Sequence, residues 1–203
     1  MRAKVSAVDF SREEGFWSRG ITWVAGVDEV GRGPLAGPVL AAAVVLPPGV
    51  ALPGLDDSKR LTARARAELD RMIRAAAWGL GIGAASAGEI DRWNIHRASL
   101  EAMRRALADL PRPPGAVLVD ALTIPHLPWS QEGIVHGDRL SSSIAAASVV
   151  AKVARDRLME RYATLFPGYG FERHRGYGTA AHLAALAALG PCPLHRRSFL
   201  HLG

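Results

Sequence analysis

Apolar positions along the chain fall into short blocks of two kinds, and these predict strands mixed with helices. Trp23 to Asp28 reads as a strand, ended by Gly31, Gly33 and Pro34. Val39 to Leu46 is an unbroken apolar run bounded by Pro38 and Pro47, which predicts a strand buried on both faces. Thr62 caps a predicted helix in which Leu69, Met72, Ile73 and Ala76 recur at helical spacing, with Gly79 closing it. Leu80 to Ala85 is a Gly-rich strand. Ser86 and Glu89 then form a capping box that opens a helical region through Leu100, Met103 and Leu107, with a break near Asn94. Ala116 to Asp120 predicts a buried strand ending in a carboxylate, and Gly133 to His136 a fifth strand. Ser143 to Leu165 reads as a long helix with Ile144, Ala147, Ala151, Ala154 and Leu158 along one face. Thr179 to Leu189 is a last helix, capped by Gly190 and stopped by Pro191, and a short helical stretch precedes Ile21. The class is α/β with a helical C-terminal part. Residues 1–166 form the main domain and residues 167–203 an extension of the same compact unit.

Composition narrows the picture. The chain has 203 residues, 49% of them apolar, which suits one domain with a sizeable core and excludes wholesale disorder. Cys192 is the single cysteine, so neither an internal disulfide nor a cysteine zinc cage can form; a reducing, cytoplasmic setting fits. Residues 1–19 carry charges throughout and no apolar core of a signal peptide, and Val39 to Leu46 is too short to cross a bilayer.

Charge adds direction. The net +6 is confined to residues 139–203, where nine Lys and Arg face three Asp and Glu; the first 138 residues balance. That asymmetry points to a polyanionic partner, with a solvated basic face as the alternative.

The chemistry-bearing stretch is Gly26-Val-Asp-Glu-Val-Gly-Arg-Gly-Pro34. Neighbouring side chains on a strand point to opposite faces, so Asp28 and Glu29 share a site only near the strand end, or if the longer Glu arm bends back. A strand-end turn with solvated acids is the other reading. Asp120 ends a strand and Asp138 follows one. Four carboxylates at three strand ends can converge on one sheet edge, and an all-oxygen set suits Mg²⁺ or Mn²⁺ rather than zinc. No Walker loop, dinucleotide fingerprint or serine elbow is present. Lys59 stands in a loop where it can meet a phosphate. The segment Phe166 to Thr179 interleaves aromatics, glycines and cations, as a nucleic-acid surface or a Gly-rich loop with core aromatics. His195-Arg-Arg-Ser198 reads as a solvated basic patch. The histidines show no ligand spacing, and none pairs with Cys192.

Taken in order, GVDEVGRGPLAGPVLAAAVVL (26–46), DSKRL (57–61), LVD (118–120), GD-x₅-IAAASVVAKVARD (137–156), GYGFERHRGYGT-x₂-H (168–182) and GP-x₃-HRRSF (190–199) resemble ribonuclease HII, the type 2 ribonuclease H family. The resemblance implies a ribonuclease H-like mixed β-sheet flanked by helices, with a C-terminal helical extension that binds substrate. It implies a Mg²⁺- or Mn²⁺-dependent endonuclease, with two metals, acting on RNA–DNA hybrids and 5′ of ribonucleotides embedded in duplex DNA. The ends left would be 3′-OH and 5′-phosphate. Apart from the resemblance, a monomer is the default expectation, since no motif points to an assembly. Position by position, Asp28, Glu29, Asp120 and Asp138 match the family's metal-binding acids. Gly31, Arg32 and Gly33 match its 2′-OH-reading loop, Tyr177 its deoxyribose-packing tyrosine and Lys59 its phosphate-contacting lysine. The chain departs from the usual pattern at Val30, Arg60 and Ala121, the last beside the third Asp. The related type HIII enzymes carry an extra N-terminal domain, and the roughly twenty residues before the first strand favour HII over them. Alternatives are another ribonuclease H-like nuclease acting on DNA, or a non-catalytic hybrid-binding module.

Overall fold

A computed structural model of the chain describes residues 8–56, 58 and 60–200; Lys59 lies outside the described residues. Five strands form one mixed sheet: β1 (Val24–Val30), β2 (Val39–Val45), β3 (Gly79–Ala85), β4 (Ala116–Asp120) and β5 (Ser130–Ile134). Their order is β3-β2-β1-β4-β5. The first three are antiparallel neighbours, while β4 runs parallel to β1 and β5 parallel to β4. The helices are α1 (Ser11–Trp17), α2 (Ala63–Ala76), α3 (Ala87–Trp93), α4 (Ile95–Ala108), α5 (Ser142–Leu165), α6 (Phe171–His174) and α7 (Ala180–Leu189).

The period of two along each strand explains the layers. Ala25, Val27, Ala41, Ala43, Val45, Val117 and Val119 face α4, against Ala98, Ala102 and Met103. Ala42 and Val44 face the other way, onto Leu69 and Ile73 of α2 and Ala146 to Ala151 of α5. Val24, Ala116 and Leu118 meet Ile144 of α5 on that same side. Every residue of β2 is buried, which is why its apolar run does not alternate with polar residues. Gly26 lets α5 approach: a Cβ there would lie 2.1 Å from the Ser143 carbonyl carbon.

Local signals hold where the physics is local. The Ser86–Glu89 capping box forms, and Asn94 breaks the helical region at φ 69° while capping α4. Three expectations shift. Gly79 does not close α2; Ala77 does, and Gly79 opens β3 opposite Val45. The fifth strand is Ser130–Ile134, not Gly133 to His136. It is a sheet edge with exposed polar positions, so its apolar alternation is weak, and the Gln131 side chain ties it to both backbone groups of Ile124. Finally, α5 does not bury one face only: residues 142–151 are buried all round, between the sheet and α2.

Candidate active site

Because β1 and β4 are parallel and their register pairs Val27 with Val119, Asp28 and Asp120 follow as neighbours at the same end of the sheet. Both point to the α5 face, by alternation with Gly26 and Leu118. Asp28 is buried and accepts a hydrogen bond from the Glu29 N–H at 2.7 Å. The Ser148 hydroxyl of α5 also donates to it, and Ser148 lies 2.8 Å from the Ser58 hydroxyl. Asp120 accepts the Gly137 N–H at 2.7 Å, which ties it to the 3₁₀ turn Gly137–Arg139 carrying the buried Asp138. Glu29 alternates away from Asp28, and Arg32 lies 3.2 Å from one of its oxygens. The other oxygen, Oε2, is buried without a hydrogen-bond partner.

Burial governs the two acids of β1. Burial, with the nearby charges of Glu29 and Asp120, pushes the Asp28 carboxyl well above the usual carboxylate range. Burial also raises Glu29, opposed by Arg32. Among the described residues no three acidic, His or Cys side chains already form a closed metal cage. The donor chemistry still fits a hard divalent cation: oxygens only, mutually repelling, with Glu29 Oε2 unpartnered. A concave hollow lined by Trp93, Arg97, Leu100 and Arg104 contains none of these carboxylates. The acids gather where β1 and β4 end.

The glycine loop adjoins these strand ends. Arg196 is buried, and its guanidinium donates to the carbonyls of Gly31, Arg32 and Gly37. Arg155, also buried, donates to Ala36 and Pro38. Burial, then the charge of Arg155, brings Arg196 down to about 9, still protonated at neutral pH. Both residues escaped sequence reasoning. His195-Arg-Arg-Ser198 is not a solvated patch, since His195 and Arg196 are buried. Nor is the basic surplus all available to a partner: Arg155 and Arg196 serve the loop, Arg175 pairs with Glu160 and Lys152 with Asp156.

Tyr177 completes this region. Its ring stands beside the loop, 3.9 Å from where a Gly33 Cβ would be, and 45% of the residue is exposed. The expectation that no histidine meets Cys192 is overturned: its Sγ lies 3.2 Å from His195 Nδ1, brought there by the turn between them. Ala121 adopts φ 52°, the left-handed region that favours glycine.

Residues 25–202 match the profile of the Ribonuclease HII family. A ribonuclease HII of Geobacter sulfurreducens is 54% identical over 189 residues, covering 91% of this chain and 87% of the relative. The crystal structure of ribonuclease H2 from Pyrococcus horikoshii superposes with a TM-score of 0.72 at 26% identity, covering 86% of this chain and 92% of that one. A Bst-RNase HIII structure in complex with Mn²⁺ shares the fold, with a TM-score of 0.58 at 20% identity over 84% of this chain and 72% of that one. Sheet, helices and sequence agree: the chain belongs to the ribonuclease HII family, metal-dependent endoribonucleases that cleave the RNA strand of RNA–DNA hybrids.

Proposed function

We propose that this enzyme also cuts 5′ of single ribonucleotides embedded in duplex DNA, leaving 3′-OH and 5′-phosphate ends. In this reading Asp28, Glu29, Asp120 and Asp138 hold Mg²⁺ or Mn²⁺. A divalent cation bound there supplies charge stabilisation and a more acidic bound water. The protein works in the cytoplasm as a monomer on hybrid or ribonucleotide-bearing duplexes. The observation that carries the reading is the Arg196 guanidinium under the Gly31 and Arg32 carbonyls. No peptide among the described residues is cis, so in each planar unit the N–H points away from its C=O. With those carbonyls turned inward, the N–H groups of Arg32 and Gly33 face outward, free to donate to a ribose or phosphate oxygen. Glycine at 31 and 33 lets that oxygen come close. Tyr177 offers a ring to the adjoining sugar, and Arg32 can leave Glu29 for a phosphate.

The deciding assay incubates a DNA duplex bearing one ribonucleotide with Mg²⁺, Mn²⁺ or EDTA, using wild type and Asp120→Asn. Cleavage 5′ of the ribonucleotide, lost in EDTA and in the variant, is expected. Equal cutting of an all-DNA duplex would sink the proposal.

A further inference from the structure

Behind Tyr177 lies a group that the chemistry above leaves unused: the imidazoles of His174, His182 and His195. His182 and His195 are buried, with Nε2 atoms 3.1 Å apart. The rings of His174 and His182 stack with centroids 4.4 Å apart. For neutral rings the hydrogen-bond network orders the protons. The Tyr177 carbonyl lies 2.9 Å from His182 Nδ1 and can only accept, so His182 carries its proton on Nδ1. Its Nε2 is then an acceptor, and His195 Nε2 donates to it. His195 Nδ1 is left as an acceptor, and the Cys192 N–H donates to it at 3.0 Å, with the thiol 3.2 Å away. His174 repeats the logic: Nε2 donates to the Tyr169 carbonyl, and Nδ1 accepts from the Gly176 N–H. As neutral rings, His182 and His195 are opposite tautomers.

What this pair joins gives it a role. His182 grips the carbonyl of Tyr177 itself. His195 bridges to Ala36, and the next N–H, of Arg196, donates to the Leu35 carbonyl at 2.8 Å. The Nε2–Nε2 bond therefore links the turn carrying Tyr177 to the strand segment that follows Gly31–Gly33. We propose that His182 and His195 are positioning residues that set the gap between Tyr177 and the glycine loop, and that they do so only while His182 Nε2 is unprotonated and accepts the His195 N–H. The proposal rests on the reading of Tyr177 and Gly31–Gly33 as the ribose-recognising surface.

Protonating His182 on Nε2 removes the acceptor and breaks the link, whereas His195 keeps its Nε2 donor in either state. A proton on His182 Nε2 faces the His195 N–H, while one on His195 Nδ1 faces the Cys192 N–H at 3.0 Å and the Cys192 carbonyl at 3.3 Å. The backbone groups of Tyr177, Gly176 and Cys192 favour such a charge, and burial outweighs them. Cys192 and Tyr169 both have raised pKa values through burial and stay neutral, His174 stacks on His182, and Arg196 is a cation one residue along. Burial accordingly lowers both His182 and His195.

Two measurements on the full chain test this. Nitrogen-15 histidine spectra at neutral pH should show His182 protonated on Nδ1 and His195 on Nε2. Cleavage of a duplex with one ribonucleotide should show a KM that rises in the wild type as pH falls from about 8 to about 5.5. His195→Gln offers an N–H to neutral His182 and its amide oxygen to His182 protonated on Nε2; its KM should match wild type at the upper pH within about twofold and lose much of the acid rise. His182→Ala should raise KM about fivefold with kcat little changed, and His182→Asn, which restores a donor to Tyr177, should recover most of that loss. Other tautomers, an acid rise unchanged in His195→Gln, or a folded His182→Ala with wild-type KM each overturn the proposal. Should His182→Ala fail to fold, the tautomers and His195→Gln still decide. A wild-type protein that leaves the embedded ribonucleotide uncut overturns instead the reading on which the proposal rests.

Discussion

A Cβ placed on Gly31 would lie 2.2 Å from Nε of Arg155. Arg155 cannot retreat, because the same guanidinium donates to Pro38 and Ala36 in the buried interior. Gly31 also has φ 90°, where a side chain costs about 1–2 kcal/mol on its own. Adding the overpacking, Gly31→Ala should destabilise the protein by about 2–4 kcal/mol and suppress cleavage. Urea unfolding measures the first and the single-ribonucleotide assay the second. A variant as stable as wild type would mean that Arg155 does not occupy this space.

Asp28 couples the site to the fold. Its folded carboxyl holds a proton more tightly than an unfolded one, so its stabilising contribution is full below the unfolded value of about 4. It is lost as pH rises through the raised folded value. In EDTA the protein should therefore weaken from acid toward neutral pH, and Asp28→Asn should be more stable than wild type at pH about 8, by on the order of 1–3 kcal/mol. Mg²⁺ or Mn²⁺ should raise the wild-type Tm and leave Asp28→Asn nearly unmoved. Thermal melts with and without metal check both, and a Tm that falls in Asp28→Asn in EDTA would contradict them.

What could be read from the sequence was what neighbouring residues decide. The β2 run, the Ser86 capping box and the Asn94 break are local, and all three formed. The family motifs named the loop and the acids as a set. Strand alternation alone could not say how they meet, since Asp120 joins Asp28 through a register of parallel strands. The roles of Arg155 and Arg196 were hidden for the same reason. Their partners lie more than a hundred residues away in the chain, so a buried arginine looks like a surface one until the fold closes. The histidine pair is likewise joined only by a turn in space.

Ala121 is a place where the sequence works against its backbone. It follows Asp120 at φ 52° with its N–H donating to Ile134 at 2.9 Å. Glycine adopts this conformation without the Cβ penalty, while its freer unfolded chain gives part of that back. Ala121→Gly should stabilise the protein by about 0.5–1 kcal/mol without lowering activity. A rise in Tm is the check; a clear loss would show that the methyl contributes packing.

Glu89 gives a pH signature remote from the site. The Arg105 guanidinium at 2.8 Å, with the Ser86 N–H, holds its carboxyl at about 2. A depressed folded value means the contribution is present above the unfolded pKa of about 4.3 and disappears as pH falls toward the folded one. The pair is at the surface, so screening reduces it to about 1 kcal/mol. Arg105→Ala should cost about that much at neutral pH, a difference that shrinks at pH about 3 and in high salt. Denaturant titrations at two pH values measure it, and an unchanged difference in acid would rule the carboxylate out.

Tyr177 separates recognition from folding. The ring is 45% exposed, whereas Phe171 a few residues earlier is wholly buried against Tyr169 and Met159. Truncating Phe171 should cost about 3–5 kcal/mol. Truncating Tyr177 removes little buried area and keeps the backbone carbonyl that His182 grips. Tyr177→Ala should therefore melt within a few degrees of wild type. It should cut a duplex with one ribonucleotide at least about tenfold more slowly, as lost stacking on the sugar would predict, while a long hybrid, which offers many registers, suffers less. Parallel melting and cleavage of both substrates make the test. An unfolded variant would make Tyr177 a core residue, and equal losses on the two substrates would deny it a part in choosing the junction.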